Sequence, residues 1–197
     1  MIKVILASKS PRRRELLARI IQDFEIIVAD TDETLGEGVS PFDGVRILAE
    51  RKGAAVLPKV TEDSIIISSD TLVELDGVPL GKPTDREDAR RMLRSLSGRR
   101  HNVHTGVAVH YMGRCYSETE TSGVIFREMT DGEILEYIAT GEPMDKAGAY
   151  GIQGIGGKFV TQYDGNFDTI MGLPVGLTAR LINTAVGKEI VKYDEKG

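Results

Sequence analysis

The feature that most constrains the fold is a run of three isoleucines, residues 65–67, followed at once by the small polar residues 68–71. Three consecutive β-branched residues predict a strand buried on both faces, and the change in polarity predicts that this strand ends before Asp70. In open α/β sheets, ligands bind beyond the carboxyl ends of strands, so Asp70 is a candidate metal ligand or general base. The alternative is that Asp70 and Thr71 simply open a turn.

Length and composition limit the class of protein. A chain of 197 residues can form one domain of two lobes and bury most of its apolar surface without disulfides. The single cysteine, Cys115, suits a reducing cytoplasm and is interpreted as a small packing residue within a strand. The net charge of −5 argues against a general nucleic-acid binder. We find no secretory or membrane-spanning pattern, so a cytoplasmic protein that contacts no membrane is expected.

Predicted strands alternate with capped helices along the chain. The predicted strands are residues 3–7, 24–29, 65–67, 101–111, 116–126 and 159–163. Each predicted helix begins at a capping residue or a proline: Ser10, Ser40, Thr84 with Glu87, Thr130 with Glu133, and Pro174. Asp76 and Gly77 predict a tight hairpin turn.

The first strand leads into a helix start that favours an anion. Residues 8–10 form a short polar loop, and Arg12, Arg13 and Arg14 follow in the first helical turn. Backbone N–H groups, the positive end of the helix dipole and guanidinium groups converge at such a position. Because three arginines oppose the dipole there, we favour a phosphate ligand over a solvated basic helix start.

Residues 30–34 form a dense acidic patch after the second predicted strand, and Lys52 lies on the apolar face of the next helix. Such a lysine either snorkels into solvent at the helix end or directs its ammonium at a ligand. The spacing of Asp30, Asp32 and Thr34 also resembles the nucleophile motif of haloacid-dehalogenase-type phosphatases. The later paired-aspartate metal motif of those enzymes has no counterpart in this sequence.

Residues 141–157 form a long glycine-rich connection between two well-patterned segments, which predicts a functional loop. Its spacing fits neither the dinucleotide-binding fingerprint nor the P-loop. It carries Glu142, Asp145, Lys146 and Gln153 on a backbone of small residues that allows close approach of a ligand.

Acidic and basic residues recur at the predicted ends of elements. The acids are Glu33, Asp70, Glu142 and Asp145, and the bases are Arg12, Arg13, Lys52, Lys82 and Lys146. Cleavage of a phosphoanhydride requires both kinds of group. Carboxylates hold Mg²⁺ and activate water, and cations neutralise the phosphate oxygens. Composition alone does not show that these segments lie close together in the folded chain.

Seven short motifs run in order along the chain. They are SKSPRR at residues 8–13, DE at 32–33, SDT at 69–71, GKP at 81–83, SGRRHNVHTGV at 97–107, EPMDKAGAYGIQG at 142–154 and GLP at 172–174. In this order they resemble the motifs of the Maf family of nucleoside triphosphate pyrophosphatases. Each motif alone is weakly specific, but the ordered set is highly specific and spans nearly the whole chain.

The resemblance implies a mixed α/β fold in which an elongated sheet with flanking helices forms two lobes around a nucleotide-binding cleft, similar to the inosine triphosphate pyrophosphatase (Maf/Ham1) fold. It also implies hydrolysis of a nucleoside triphosphate to the monophosphate and pyrophosphate with Mg²⁺ or Mn²⁺. Asp70 would accept a proton from the attacking water and, with Glu33, bind the metal. The residues matched to triphosphate binding are Ser8, Arg13, Lys52 and Lys82.

Within the family, Arg12, Thr71 and Gln153 match positions associated with the branch that acts on dTTP and UTP. The Gln153 amide offers a donor and an acceptor to a pyrimidine's carbonyl and imide N–H. Residues 166–171 depart from the usual family pattern. Homodimers are common in the family, so a second copy of the chain is a candidate partner besides the nucleotide.

Two alternatives stay open. The family is also associated with arrest of septum formation, which a non-catalytic nucleotide-binding regulator could perform. A haloacid-dehalogenase-type phosphatase that uses Asp30 is the other alternative, and its product would be orthophosphate instead of pyrophosphate.

Overall fold

The computed structural model describes residues 2–193. Its strands are β1 (Val4–Leu6), β2 (Glu25–Ile26), β3 (Ile65–Leu75), β4 (Val78–Leu80), β5 (Arg100–Tyr111), β6 (Arg114–Phe126) and β7 (Val160–Asp164). Its helices are α1 (Pro11–Ala18), α2 (Pro41–Ala54), α3 (Arg86–Leu96), α4 (Asp131–Ala139), α5 (Phe167–Met171) and α6 (Val175–Val186). None of the described helices is long and apolar enough to cross a membrane.

The strands form one mixed sheet in the order β2-β1-β3-β5-β6-β7, and β4 pairs with β3. Strand β1 runs parallel to both β2 and β3, whereas β4 is antiparallel to β3 and β7 is antiparallel to β6. The predicted mixed α/β class is therefore confirmed.

The described residues divide into two compact units. The first contains the residues up to Asp70, Thr105–Glu120 and those from Gly172 onward, and the second contains Thr71–His104 and Thr121–Met171. In the first unit, Ile5 and Ile66 pack with Val56 into a buried cluster.

The second unit has a larger core of its own. One face of α3 is buried there through Ala89, Met92, Leu93 and Leu96, which recur at helical spacing. Helix α4 packs against α3 and adds further apolar side chains to this core.

Strand β3 is longer than the sequence predicts, and the expectation that it ends before Asp70 is wrong. The strand continues through the small polar residues to Leu75. Their hydroxyls are satisfied inside the fold, because Ser68 Oγ donates to the carbonyl of Ala49 at 2.7 Å and Ser69 Oγ donates to that of Gly172 at 3.0 Å. Asp70 therefore lies within a strand, with strand residues before and after it in the chain.

The helix starts follow the predicted caps with one exception. The Oγ atoms of Ser10 and Ser40 accept hydrogen bonds from the third helical residue, and Thr130 forms a capping box with Glu133. The cap predicted at Thr84 is wrong: Asp85 is the N-cap and accepts a hydrogen bond from the Asp88 N–H at 2.8 Å. A carboxylate is the stronger acceptor at this position, which shifts the helix start by one residue.

Other boundaries differ from expectation as well. Strand β2 pairs over Glu25–Ile26 alone, and both of its side chains are exposed. Cys115 lies in β6 but is exposed, so its interpretation as a packing residue is wrong. The helix α5 was not predicted. The glycine-rich connection contains three short 3₁₀ turns: Glu142–Asp145, Ala147–Ala149 and Ile155–Phe159.

Candidate active site

Arg13 is the central cation at the start of α1, in the first unit. Its Nε donates to the carbonyl of Gly172 at 2.9 Å, and its Nη1 donates to Ser8 Oγ at 3.4 Å. Burial lowers the pKa of the Arg13 guanidinium, while the negative charges of Asp70 and Glu33 oppose that shift. No acidic residue occupies the first turn of α1, so its backbone N–H groups and Arg13 together favour an anion.

Gly172 links two parts of this site through one carbonyl oxygen. That oxygen accepts hydrogen bonds from both Arg13 Nε and Ser69 Oγ. The φ angle of Gly172 is +105°, a conformation that favours glycine over residues with a side chain. The sequence contained a signal for this role, since Gly172 begins the GLP motif, but its bonding partners could not be identified from spacing.

Two carboxylates converge on the ammonium of Lys52. Its Nζ lies 2.5 Å from Asp70 Oδ1 and 2.8 Å from Glu33 Oε1. The side chains of Lys52 and Asp70 are only 19% and 13% exposed, whereas that of Glu33 is 62% exposed. Lys52 therefore directs its charge at acidic partners within the unit and does not snorkel into solvent.

The packing of α2 on the sheet explains where Lys52 points. A Cβ atom on the neighbouring Gly53 would lie 2.5 Å from the His110 ring and 2.7 Å from Ser68 Oγ. Glycine thus allows the last turns of α2 to approach β3 closely. Ser68 and Asp70 share one face of β3 because side chains alternate along a strand, so Lys52 reaches Asp70 across this contact.

Glu33 lies on a loop that is held by hydrogen bonds to its neighbours. Asp32 Oδ1 accepts from the Thr34 N–H at 2.9 Å, and this bond lowers the pKa of Asp32. Arg51 Nη1 donates to the carbonyl of Thr34 at 2.7 Å. Asp32 thus serves the local turn, and Asp30 is exposed, so neither carboxylate joins the group around Lys52.

A second polar group lies in the second unit. Lys146 Nζ contacts Asp145 Oδ1 at 2.6 Å and donates to the backbone carbonyl of Glu142 at 2.8 Å. The Glu142 carboxylate is itself occupied by hydrogen-bond donors of its own unit: the Tyr137 hydroxyl and the N–H groups of Ile155 and Gly156.

The remaining predicted site residues are spread over both units. Lys82 and Gln153 are exposed in the second unit, and Thr71, which follows Asp70 along β3, is half-buried there. The segment around Lys82 is tied to the 3₁₀ turn Ala147–Ala149, because the Gly148 N–H donates to the carbonyl of Gly81 at 3.0 Å. Arg12 is half-buried in the first turn of α1.

The first unit thus brings together Ser8, Arg13, Glu33, Lys52 and Asp70, and the second brings together Glu142, Asp145 and Lys146. Within residues 2–193 no group of three or more histidine, cysteine, aspartate and glutamate side chains is arranged to hold a metal ion. Glu33 and Asp70 are two carboxylates whose oxygens share one cationic partner, the Lys52 ammonium.

Comparison with known proteins identifies similar chains. A family model described as "Maf-like protein" matches residues 3–185. A protein of Bdellovibrio bacteriovorus named dTTP/UTP pyrophosphatase is 44% identical over 186 residues, covering 91% of this chain and 97% of its own. A protein of the same name from Clostridium beijerinckii is 48% identical, covering 88% of this chain and 94% of its own. The structure of the Staphylococcus aureus Ham1 protein matches at 18% identity and a TM-score of 0.46, covering 63% of this chain and 71% of that one.

Proposed function

This chain belongs to the Maf-like family, and from that membership we propose that it is a nucleoside triphosphate pyrophosphatase that hydrolyses dTTP and UTP. The products are the nucleoside monophosphate and pyrophosphate. The observation that carries the proposal is the group of two cations and two carboxylates in the first unit: Arg13, Lys52, Glu33 and Asp70. These are the charges that cleavage of a phosphoanhydride requires. A cytoplasmic location is part of the proposal.

The start of α1 binds phosphate oxygens. Ser8 and Gly172 orient the Arg13 guanidinium by accepting hydrogen bonds from its Nη1 and Nε, and its positive charge attracts phosphate oxygens. The guanidinium and the N–H groups of the first turn are fixed before the substrate arrives. Pre-oriented donors stabilise the charge that develops on phosphate oxygens in the transition state without the cost of reorganisation.

Glu33 and Asp70 are the residues that would hold a divalent metal. Their carboxylate oxygens already converge on a single cation, the Lys52 ammonium. Mg²⁺ is commonly bound by one or two carboxylates together with substrate phosphates, so this pair fits it. A metal held there would neutralise phosphate charge and would lower the pKa of a bound water. Lys52 supplies a positive charge to the triphosphate in this proposal.

Asp70 acts as the proton acceptor. Its position within β3 and its contact with Lys52 hold the carboxylate in one place. It takes a proton from the water that attacks the α-phosphorus, and pyrophosphate departs as the leaving group. Lys82 supplies a further positive charge to the triphosphate in this proposal.

Arg12, Thr71 and Gln153 select pyrimidine nucleotides in this proposal. We expect Gln153→Ala to reduce the preference for dTTP and UTP over GTP more than it reduces the overall rate, because the amide pairs with the base and not with the reacting phosphate. The measurement is kcat/KM for each nucleotide in both proteins. An unchanged ranking of substrates would remove Gln153 from this role.

The direct test of the proposed activity is to measure pyrophosphate and orthophosphate separately. The protein is incubated with dTTP, UTP, CTP and GTP in the presence of Mg²⁺ or Mn²⁺. We expect pyrophosphate from dTTP and UTP, in equal amount to the monophosphate. Release of orthophosphate with no pyrophosphate would contradict the proposal and favour a phosphatase.

A further inference from the structure

The carboxylate of Glu142 is the centre of a hydrogen-bonded cluster in the second unit. Its Oε1 accepts from the Tyr137 hydroxyl at 2.8 Å and from the Gly156 N–H at 3.1 Å, and its Oε2 accepts from the Ile155 N–H at 2.9 Å. The Tyr137 oxygen in turn accepts from the Gly151 N–H at 3.3 Å. One carboxylate and one phenol thus bind the backbone on both sides of residues 152–154.

Glycine is required at positions 154 and 156 because the backbone there passes very close to the side chains of Glu142 and Tyr137. A Cβ atom on Gly154 would lie 2.4 Å from Glu142 Oε1, and one on Gly156 would lie 2.4 Å from the Tyr137 hydroxyl oxygen. Real Cβ atoms do not approach so closely, so the backbone can wrap around Glu142 only with glycine at both positions. Gln153 lies between them, with its side chain exposed.

Tyr137 and Glu142, which bind this segment, are themselves held in place by packing and by a hydrogen bond. Tyr137 is fully buried on α4, and its ring packs edge-on against Phe159 with 5.3 Å between the ring centroids. Lys146 also donates to the backbone carbonyl of Glu142, which fixes the main chain at that residue. Residues 151–156 are therefore attached to the core of the unit through the Glu142 carboxylate and through Ile152, which packs against that core.

We propose that Glu142 is a positioning residue for pyrimidine selectivity: its carboxylate holds residues 151–156 in the conformation that presents Gln153 to the base. The inference rests on the proposed function, and it gives Glu142 a role other than metal binding. The side chain acts through Gln153 and does not itself touch the nucleotide.

Glu142→Gln tests this with almost no change in shape. An amide has one acceptor atom and one donor atom where the carboxylate has two acceptors. Whichever way the amide is turned, its NH₂ group faces the N–H of either Ile155 or Gly156, so at least one hydrogen bond is lost. Tyr137→Phe, which keeps the carboxylate and removes the hydroxyl link to Gly151, is the second variant. Glu136→Gln, an exposed residue on the same helix as Tyr137, is the matched control.

The first measurement is backbone hydrogen exchange, with and without UTP. In the wild-type protein we expect UTP to slow exchange in residues 151–156. In Glu142→Gln we expect exchange there to be about tenfold faster and insensitive to UTP, while the amides of α3 keep their protection. If UTP does not protect residues 151–156 in the wild-type protein, or if exchange in the variant is unchanged, the inference is wrong.

The second measurement is the ratio of kcat/KM for UTP to that for GTP. We expect this ratio to fall about tenfold in Glu142→Gln and less in Tyr137→Phe, with no change in Glu136→Gln. Faster exchange with an unchanged ratio would show that Glu142 only stabilises the fold. A wild-type protein that releases no pyrophosphate would refute the proposed function, and the exchange data would still decide whether Glu142 holds a nucleotide-responsive segment.

Discussion

The ammonium of Lys52 has two acidic partners of very different exposure. Its contact with Glu33 is largely open to solvent, and exposed ion pairs contribute little to stability. Its contact with Asp70 is mostly shielded from water, so the attraction there is stronger. The Asp70 contact therefore contributes more than the Glu33 contact to where the lysine lies.

Replacing Lys52 with methionine tests whether Glu33 and Asp70 form a metal site. Removing the ammonium takes away the charge with which Mn²⁺ would compete for Glu33 and Asp70, so we expect Mn²⁺ to bind the nucleotide-free protein about tenfold more tightly. Titration followed by electron paramagnetic resonance measures this directly. Lys188→Met, which removes an exposed charge elsewhere in the same unit, is the control. Equal or weaker Mn²⁺ binding in Lys52→Met would argue against the metal-ligand assignment.

Several site residues could be predicted individually, but their contacts could not. Asp70 and Lys52 stand out by their charge next to apolar patterns, and Arg13 stands out at a helix start. Gly172 acts through its own backbone carbonyl and Glu142 through bonds from backbone N–H groups, and no residue-type pattern indicates the bonding partners of either. The Gly172 carbonyl, for example, bonds Ser69 across 103 residues of sequence.

At the level of elements, the contact of α2 with β3 positions the Lys52 side chain. Gly53 makes this contact possible, because any side chain there would meet the His110 ring and Ser68 Oγ. Both of those groups are buried, and Ser68 Oγ is fixed by its hydrogen bond to the Ala49 carbonyl, so neither can move aside easily.

We expect Gly53→Ala to destabilise the protein by about 1–2 kcal/mol. Alanine is favoured over glycine within a helix by about 1 kcal/mol. Overpacking a well-filled contact costs about 1–3 kcal/mol. Because three atoms would lie within 2.7 Å of the new Cβ atom, the cost of overpacking is the larger of the two effects. Urea unfolding measures the difference. Gly36→Ala is the control, since its nearest neighbour would be 4.0 Å away. A more stable Gly53→Ala protein would refute this account of the contact.

Helix starts, whose signals are local, were mostly predicted correctly, and the cap of α3 is the exception. The caps of α2 and α4 depend on residues three positions apart, and both are as expected. Strand β3 was not predicted to its full length, because Ser68 and Ser69 look like turn residues in sequence. They remain in the strand since their hydroxyls bond to carbonyls of Ala49 and Gly172, which only the folded chain brings near.

At the scale of the molecule, each unit has its own core, and the second unit contains a buried histidine within it. His101 Nε2 lies 2.8 Å from the Tyr150 hydroxyl, and its ring packs edge-on against Phe126. Burial lowers the pKa of His101 from 6.5 to about 4. The folded unit therefore keeps this ring neutral at a pH where an unfolded chain protonates it.

Acid should consequently destabilise the second unit. Between pH 6.5 and about pH 4 the unfolded state binds more protons at His101 than the folded state does, so the free energy of unfolding falls as the pH is lowered through this range. The contribution of His101 to the free energy of unfolding is complete above pH 6.5, and roughly 3 kcal/mol of it is lost by pH 4. We expect the pH dependence of urea unfolding to be weaker in His101→Gln, whatever its stability at neutral pH. An identical pH dependence in both proteins would contradict the assignment to His101.

The central claim of the account is that Asp70 performs the chemistry in a nucleotide pyrophosphatase. The most direct measurement is pyrophosphate release from dTTP and UTP by the wild-type protein and by Asp70→Asn, with UTP binding measured in parallel by calorimetry. We predict that kcat falls by about 10²–10⁴-fold in the variant while UTP still binds, because the proton acceptor is removed and the phosphate-binding cations remain. A variant that releases pyrophosphate at nearly the wild-type rate would contradict the account.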